Sequence, residues 1–199
     1  PAAIDGGLAS ELEARGHDLS GELWSARLLL EDPDAIRQVH AAYFRAGATV
    51  GISASYQASR PGLQRAGLAP ADADRIIGLS VALVREARDL AAGVGAEQPM
   101  LVAASVGPYG ATLHDGSEYR GRYGVPYDDL VTFHRDRLEV LLDAGPDLLA
   151  VETVPDVDEA RAIVAALGQV AGSSVSGAGG TWRSAWMSFS CADDRTTHA

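Results

Sequence analysis

The sequence predicts an α/β fold built on parallel strands, and three observations carry that expectation. Short apolar runs alternate with longer stretches of helical periodicity along the chain. Four of the runs end in a small polar or glycine-containing motif: Asp5-Gly6-Gly7, Ser53-Ala54-Ser55-Tyr56-Gln57, Ser105-Val106-Gly107-Pro108 and Glu152-Thr153-Val154-Pro155. With 6% aromatic residues against 22 glycines, packing must come from Ala, Leu and Val between closely approaching layers. Parallel strands that gather functional groups at their carboxyl ends are how α/β barrels build active sites.

Ala2 to Ile4 reads as a short first strand entering the Asp5-Gly6-Gly7 turn, with a helical piece over Glu11 to Arg15. Asp32-Pro33 combines a capping side chain with proline at the first helical position, and Ile36, Val39, His40 and Tyr43 then share one face until Gly47. Thr49 to Ser55, between helices, reads as a buried parallel strand. A long helix follows from Pro70, with Ile76, Ile77, Leu83, Val84, Leu90 and Ala91 at helical spacing and Gly93 and Gly95 as its stop. Met100 to Val106 is the third strand. Gly107 to Val125 is too long for a tight βα turn and reads as a functional loop carrying Tyr109, Tyr119, Arg120, Arg122 and Tyr123.

The next helix covers Pro126 to Ala144, with Leu130, Phe133, Leu138, Leu141 and Leu142 inward and Arg135 paired with Glu139 outward. Leu148 to Val151 is a strand, Asp156 to Leu167 a helix, and Ala185 to Ser190 a fifth strand. A Gly/Ser-rich segment at about 172–180 reads as flexible. Four βα units and one strand occupy the 199 residues, whereas closed eight-stranded barrels run to about 250. The expectation is one domain over 1–199, either an open sheet or part of a barrel.

Composition narrows the function. A net charge of −11 with no local gathering of Arg disfavours nucleic acid. No apolar run approaches the roughly 20 residues that cross a bilayer, and no basic-then-apolar leader opens the chain, so a membrane partner is not expected and the default location is cytoplasmic. Cys191 is the one cysteine, which excludes an intrachain disulfide and a multi-cysteine metal site made by this chain.

The strand ends supply the chemical candidates. Asp5 and Glu152 could grip an ammonium or act as an acid and base pair. Equally, Asp5 could cap the helix behind it and Glu152 meet an arginine; spacing does not choose. Trp24 could stack on a cation, although covering a core edge is the plainer role. Gln57, beside Tyr56, could hydrogen-bond a small polar ligand or serve the strand end. The five histidines carry no pattern, and Cys191, Asp193 and His198 are a poor metal set in a loop or chain end. Gly6-Gly7 and Gly107-Pro108-Tyr109-Gly110 lack the lysine and spacing of phosphate-binding loops.

Taken together, these motifs resemble the zinc-dependent homocysteine S-methyltransferases. The likeness rests on Asp5 to Glu13, Leu23 to Ala26, Ala54 to Ala58, Ser105 to Gly110 and Glu152 to Pro155. The run Asp115 to Gly121 is most similar to the branch using S-methylmethionine or S-adenosylmethionine. The resemblance implies a (β/α)8 TIM barrel, here truncated after about the fifth strand. It also implies that Asp5, with Gly6 beside it, and Glu152 hold the homocysteine amino group, while Trp24, Tyr56 and Gln57 border the methyl donor. A free thiol with pKa of about 8.5 is mostly protonated at neutral pH. In the family, zinc on three cysteines favours the thiolate that attacks the donor methyl group. Those cysteines fall one after the sixth strand and two near the eighth, so the resemblance implies no catalytic residue and no metal ligand in this chain.

The expectation is therefore a homocysteine-binding part of a methyltransferase, inactive alone, without tight zinc, and prone to self-association through open strand edges. The competing reading is a noncatalytic amino-acid-binding or assembly module completed by a second chain. A barrel lyase or aldolase using Asp5 and Glu152 is weaker, because the chain has no lysine for a Schiff base.

Overall fold

The computed structural model describes residues 2–21, 24–92, 99–173 and 184–191, with the backbone alone for Trp24, Ala26, Gly172 and Ser173. Four parallel strands, β1 (Val50–Ile52), β2 (Leu101–Val106), β3 (Leu148–Val154) and β4 (Ala185–Phe189), lie in the order β1-β2-β3-β4. Their register runs Val50 on Leu101, Ala103 on Leu148 and Leu149 on Ala185. Among the described residues seven helices accompany them: α1 (Leu8–Ala14), α2 (Trp24–Glu31), α3 (Pro33–Arg45), α4 (Arg60–Arg65), α5 (Pro70–Ala91), α6 (Tyr127–Asp143) and α7 (Val157–Ser173).

Strand alternation separates two faces. Leu149, Val151 and Val154 join the large cluster beneath the helices, which extends from Leu12 to Val170. Val50, Ala103, Leu148 and Ala150 form a second, smaller cluster with Ile52, Leu101 and Trp186. Gly51 is required where α3 and α5 press on β1, since a Cβ there would lie 2.6 Å from Phe44 and 2.7 Å from Val84. Asp32 accepts from the Ala35 amide at 3.2 Å and Pro33 opens α3, as the cap signature requires.

Several expectations need correction. The first strand is reduced to one parallel bridge, Ile4 to Val50. α1 begins at Leu8 rather than Glu11. The sequence reading missed α2 and α4, which are eight and six residues long. Leu90, assigned to the apolar face of α5, is 57% exposed. α7 continues to Ser173, so 172 and 173 are helical rather than part of a flexible segment. The remainder of that segment, to 180, and the stop at Gly93 and Gly95 lie outside the described residues.

The long loop is built rather than irregular. It holds two 3-10 turns, Tyr109–Thr112 and Ser117–Tyr119. Tyr109 packs on Tyr123 and Phe133 with ring centroids 5.3 Å and 4.9 Å apart.

Candidate functional site

At the carboxyl ends of the strands lies a cavity of about 460 Å³. Asp5, Gly6, Ser105 and Glu152 line it together with Tyr56, Gln57, Tyr119 and Thr153. Five of the six sequence candidates therefore meet in one place. Trp24 is the first residue of α2, and its side chain lies outside the described residues.

Asp5 is fixed by the sheet. Its amide donates to the Val50 carbonyl at 2.9 Å, and its Oδ2 accepts from the Ile52 amide at 2.9 Å. It does not cap α1, whose N-cap is Gly7 without a side-chain bond. Two residues one helical turn apart on α3 support this turn. The His40 Nδ1 lies 3.5 Å from Asp5 Oδ2, a contact rather than a hydrogen bond, and neither ring nitrogen has a hydrogen-bond partner. Tyr43 donates to the Gly7 carbonyl at 3.2 Å. Its ring lies where a side chain at position 6 would begin: a Cβ on Gly6 would sit 2.8 Å from it.

Glu152 ends the inner face of β3, and its Oε1 accepts from the Ser105 hydroxyl at 2.5 Å. Burial raises its pKa, the Ser105 bond opposes this, and the Asp5 charge raises it further. Beneath, Ser55 donates to the Ser105 carbonyl at 2.7 Å and the Ser105 amide to Ser53 Oγ at 3.0 Å. Ser55 has thus spent its proton, so in the 2.7 Å contact between the two hydroxyls Ser53 is the donor.

Tyr56 and Gln57 line the same cavity. Burial pushes the Tyr56 phenol up to about 12, so it stays protonated at neutral pH. Gln57 Oε1 is buried without a hydrogen-bond partner. Thr153 has φ of 60°, which for a β-branched residue costs about 1–3 kcal/mol.

Sequence reasoning missed the buried network that reaches the Tyr56 carbonyl. Arg137, 1% exposed, donates to the Gly107 carbonyl and, at 3.3 Å, to the Tyr56 carbonyl. Burial lowers its pKa to about 10, which leaves it cationic at neutral pH. Glu159, fully buried, accepts from the Tyr109 amide at 2.5 Å, the Tyr123 hydroxyl at 2.6 Å and His134 Nε2 at 3.0 Å. Because Arg137 can only donate to His134 Nδ1, at 3.4 Å, the imidazole is the neutral Nε2–H tautomer, and burial favours that neutral form. Helical spacing was the available signal: His134 and Arg137 share the face of Leu130, Leu138 and Leu141.

The family model for homocysteine S-methyltransferase matches residues 2–199. This chain belongs to the homocysteine S-methyltransferase family. It is 45% identical over 194 residues to the homocysteine S-methyltransferase YbgG of Bacillus subtilis, covering 96% of this chain and 58% of that protein. It is 52% identical over 164 residues to the homocysteine S-methyltransferase of Escherichia coli, covering 80% and 52%. The crystal structure of the homocysteine methyltransferase MmuM from Escherichia coli, in its oxidized form, matches with a TM-score of 0.87 at 44% identity, covering 99% of this chain and 64% of that one. The metallated form gives 0.84 at 47% identity, covering 96% and 64%. The chain thus spans between half and two thirds of the length of these relatives, and its parallel α/β sheet corresponds to part of the methyltransferase fold.

A metallated relative raises the question of ligands here. Among the described residues, no group of three or more His, Cys, Asp or Glu could hold a metal ion. Cys191 is exposed, with its thiol 3.9 Å from the Phe189 carbonyl, while Asp193 and His198 lie outside the described residues. The described residues of this family member do not fit a zinc centre.

Proposed function

We propose that the cavity binds homocysteine through its ammonium group, as the acceptor of a methyl group from a sulfonium donor such as S-methylmethionine or S-adenosylmethionine. The observation that carries this reading is the convergence of Asp5 and Glu152 on one cavity whose described lining contains no arginine. The Asp5 charge makes ionisation of Glu152 costlier, and a cation bound beside Glu152 relieves that cost. An ammonium offers three donors, enough for both carboxylates and a neighbouring acceptor. Tyr56 and Tyr119 add aromatic surface to the same lining, which suits a sulfonium.

In the proposed reaction the homocysteine sulfur, having lost its proton, attacks the donor methyl carbon. A new carbon–sulfur bond forms as the old one to the sulfonium breaks, giving methionine and a neutral thioether. The part of this chemistry assigned to the described residues is binding and orientation.

Calorimetric titration of the purified protein with L-homocysteine tests the reading. Saturable binding that Asp5→Asn and Glu152→Gln each abolish is expected; no binding, or binding indifferent to both changes, overturns it. Methionine formation measured on the same samples tests the expectation that this chain is inactive alone, and turnover overturns it.

A further inference from the structure

Asp156 and Glu159 open α7 with the spacing of a capping box, in which the second acid would turn back to the amide of the first. Half of that box forms: Asp156 Oδ1 accepts from the Glu159 amide at 2.8 Å. The Glu159 carboxylate turns instead to Tyr109 and Tyr123, near the two ends of the loop between β2 and α6. The second Asp156 oxygen reaches the same loop, where Oδ2 accepts from the Arg122 amide at 3.1 Å. Both acids are buried, so the first turn of α7 spends its charged groups on this loop rather than on solvent.

The loop is seated closely there. Gly121 has φ of 65°, and a Cβ at that position would collide with the Asp156 carboxylate. Arg122 follows at φ of 56°, a left-handed conformation that a residue other than glycine keeps when its surroundings fix it. The Ser117 carbonyl accepts from the Arg120 and Gly121 amides, each at 2.9 Å, which closes the turn carrying Tyr119. That turn also lies against the first one, since a Cβ on Gly110 would sit 2.5 Å from the Glu118 amide nitrogen. Among the described residues of this loop, only Tyr119 lines the cavity. Its side chain is 57% exposed, so the backbone of its turn, more than packing around the ring, sets where it stands.

We infer that Asp156 is a positioning residue for the cavity: by holding Gly121 and Arg122 it keeps the turn of Tyr119 in the lining. The inference rests on the reading of the cavity as a site for homocysteine and a sulfonium donor. Asp156 itself does not line the cavity, and it acts through Tyr119. One short segment, from Glu152 to Glu159, therefore delivers an acid to the cavity and anchors the loop beside it.

The test measures calorimetric binding of S-methylmethionine, the sulfonium probe, to four variants. Asp156→Ser keeps an oxygen to cap the Glu159 amide but none for Arg122, and should weaken binding about tenfold. Gly121→Ala leaves every charge in place and should do the same through its collision with Asp156. Combined with Tyr119→Ala, each change should cost within about twofold, because the residue it acts through is gone; a structural role elsewhere would add in full. Trypsin supplies a ligand-free arm, since Arg120 and Arg122 are exposed. Cleavage after them should be about tenfold faster in Asp156→Ser and Gly121→Ala, with cleavage elsewhere unchanged. Unchanged affinity in either variant, full loss retained without Tyr119, unchanged cleavage, or faster cleavage throughout the chain overturns this inference alone. If the unaltered protein binds neither homocysteine nor S-methylmethionine, the reading of the cavity falls, and the cleavage rates decide whether Asp156 holds the loop.

Discussion

Ser105 donates its hydroxyl to Glu152 Oε1 at 2.5 Å, joining the carboxyl ends of β2 and β3 across the cavity floor. The bond opposes the effect of burial on Glu152 and favours the charged form that a cationic ligand needs. Ser105→Ala should therefore weaken homocysteine binding about tenfold near neutral pH, and the loss should shrink as pH rises. Calorimetry across a pH series measures both.

Glu152 also links ligand binding to stability. Its folded-state pKa lies above the ordinary 4.5, so the native state holds that proton more tightly than the unfolded chain does. The resulting stability is fully present below the unfolded value and is lost as pH rises through the folded one. Homocysteine affinity should move the other way, increasing as Glu152 ionises. Glu152→Gln should raise the melting temperature at pH 7 by about 2 °C while abolishing binding. Thermal melts between about pH 4 and pH 8 should show the difference from the unaltered protein growing with pH.

Arg137 is a charge in the core, tied to the carbonyls that end two strand loops. Arg137→Met leaves those carbonyls and Glu159 without it and should cost about 3 kcal/mol, read as a lower urea midpoint. Arg137→Lys keeps the charge but not the fork, and should recover part of the loss.

Gly6 and Tyr43 compete for one volume. Gly6→Ala should destabilise the protein by about 1–3 kcal/mol and weaken homocysteine binding, because the new methyl meets the Tyr43 ring. In a Tyr43→Leu background the same change should cost less, and a double-mutant cycle in urea gives the coupling.

Asp5 and Glu152 were legible because each directly follows an apolar run, and the end of a parallel strand fixes where such a residue sits. The supports around them were not. His40 was placed correctly on the buried stripe of α3, but helical periodicity does not say what that stripe covers, and here it covers Asp5. Arg137 finds Tyr56 across 81 residues of sequence, a pairing that no local pattern encodes. Polar residues on an apolar face, His134 and Arg137 among leucines, were a warning that could have been read. The bulge in β3 between Val151 and Val154 left no mark, since Val-Glu-Thr-Val is ordinary strand composition. α4 was left unassigned although a Ser59 cap and proline in the first turn make a helix start.

The Tyr109 amide donates its proton to a carboxylate that solvent does not reach. For that amide to exchange with deuterated water, Glu159 must first be uncovered, and α6 and α7 enclose it with His134. The loop between β2 and α6 is thereby coupled, at Tyr109, to separation of a helix pair rather than to free loop motion. Its opening belongs on the microsecond-to-second scale of local unfolding, far slower than the nanosecond wandering of an untethered surface loop. Motion of the loop at Tyr109 would be paced by α6 and α7 rather than by the loop itself.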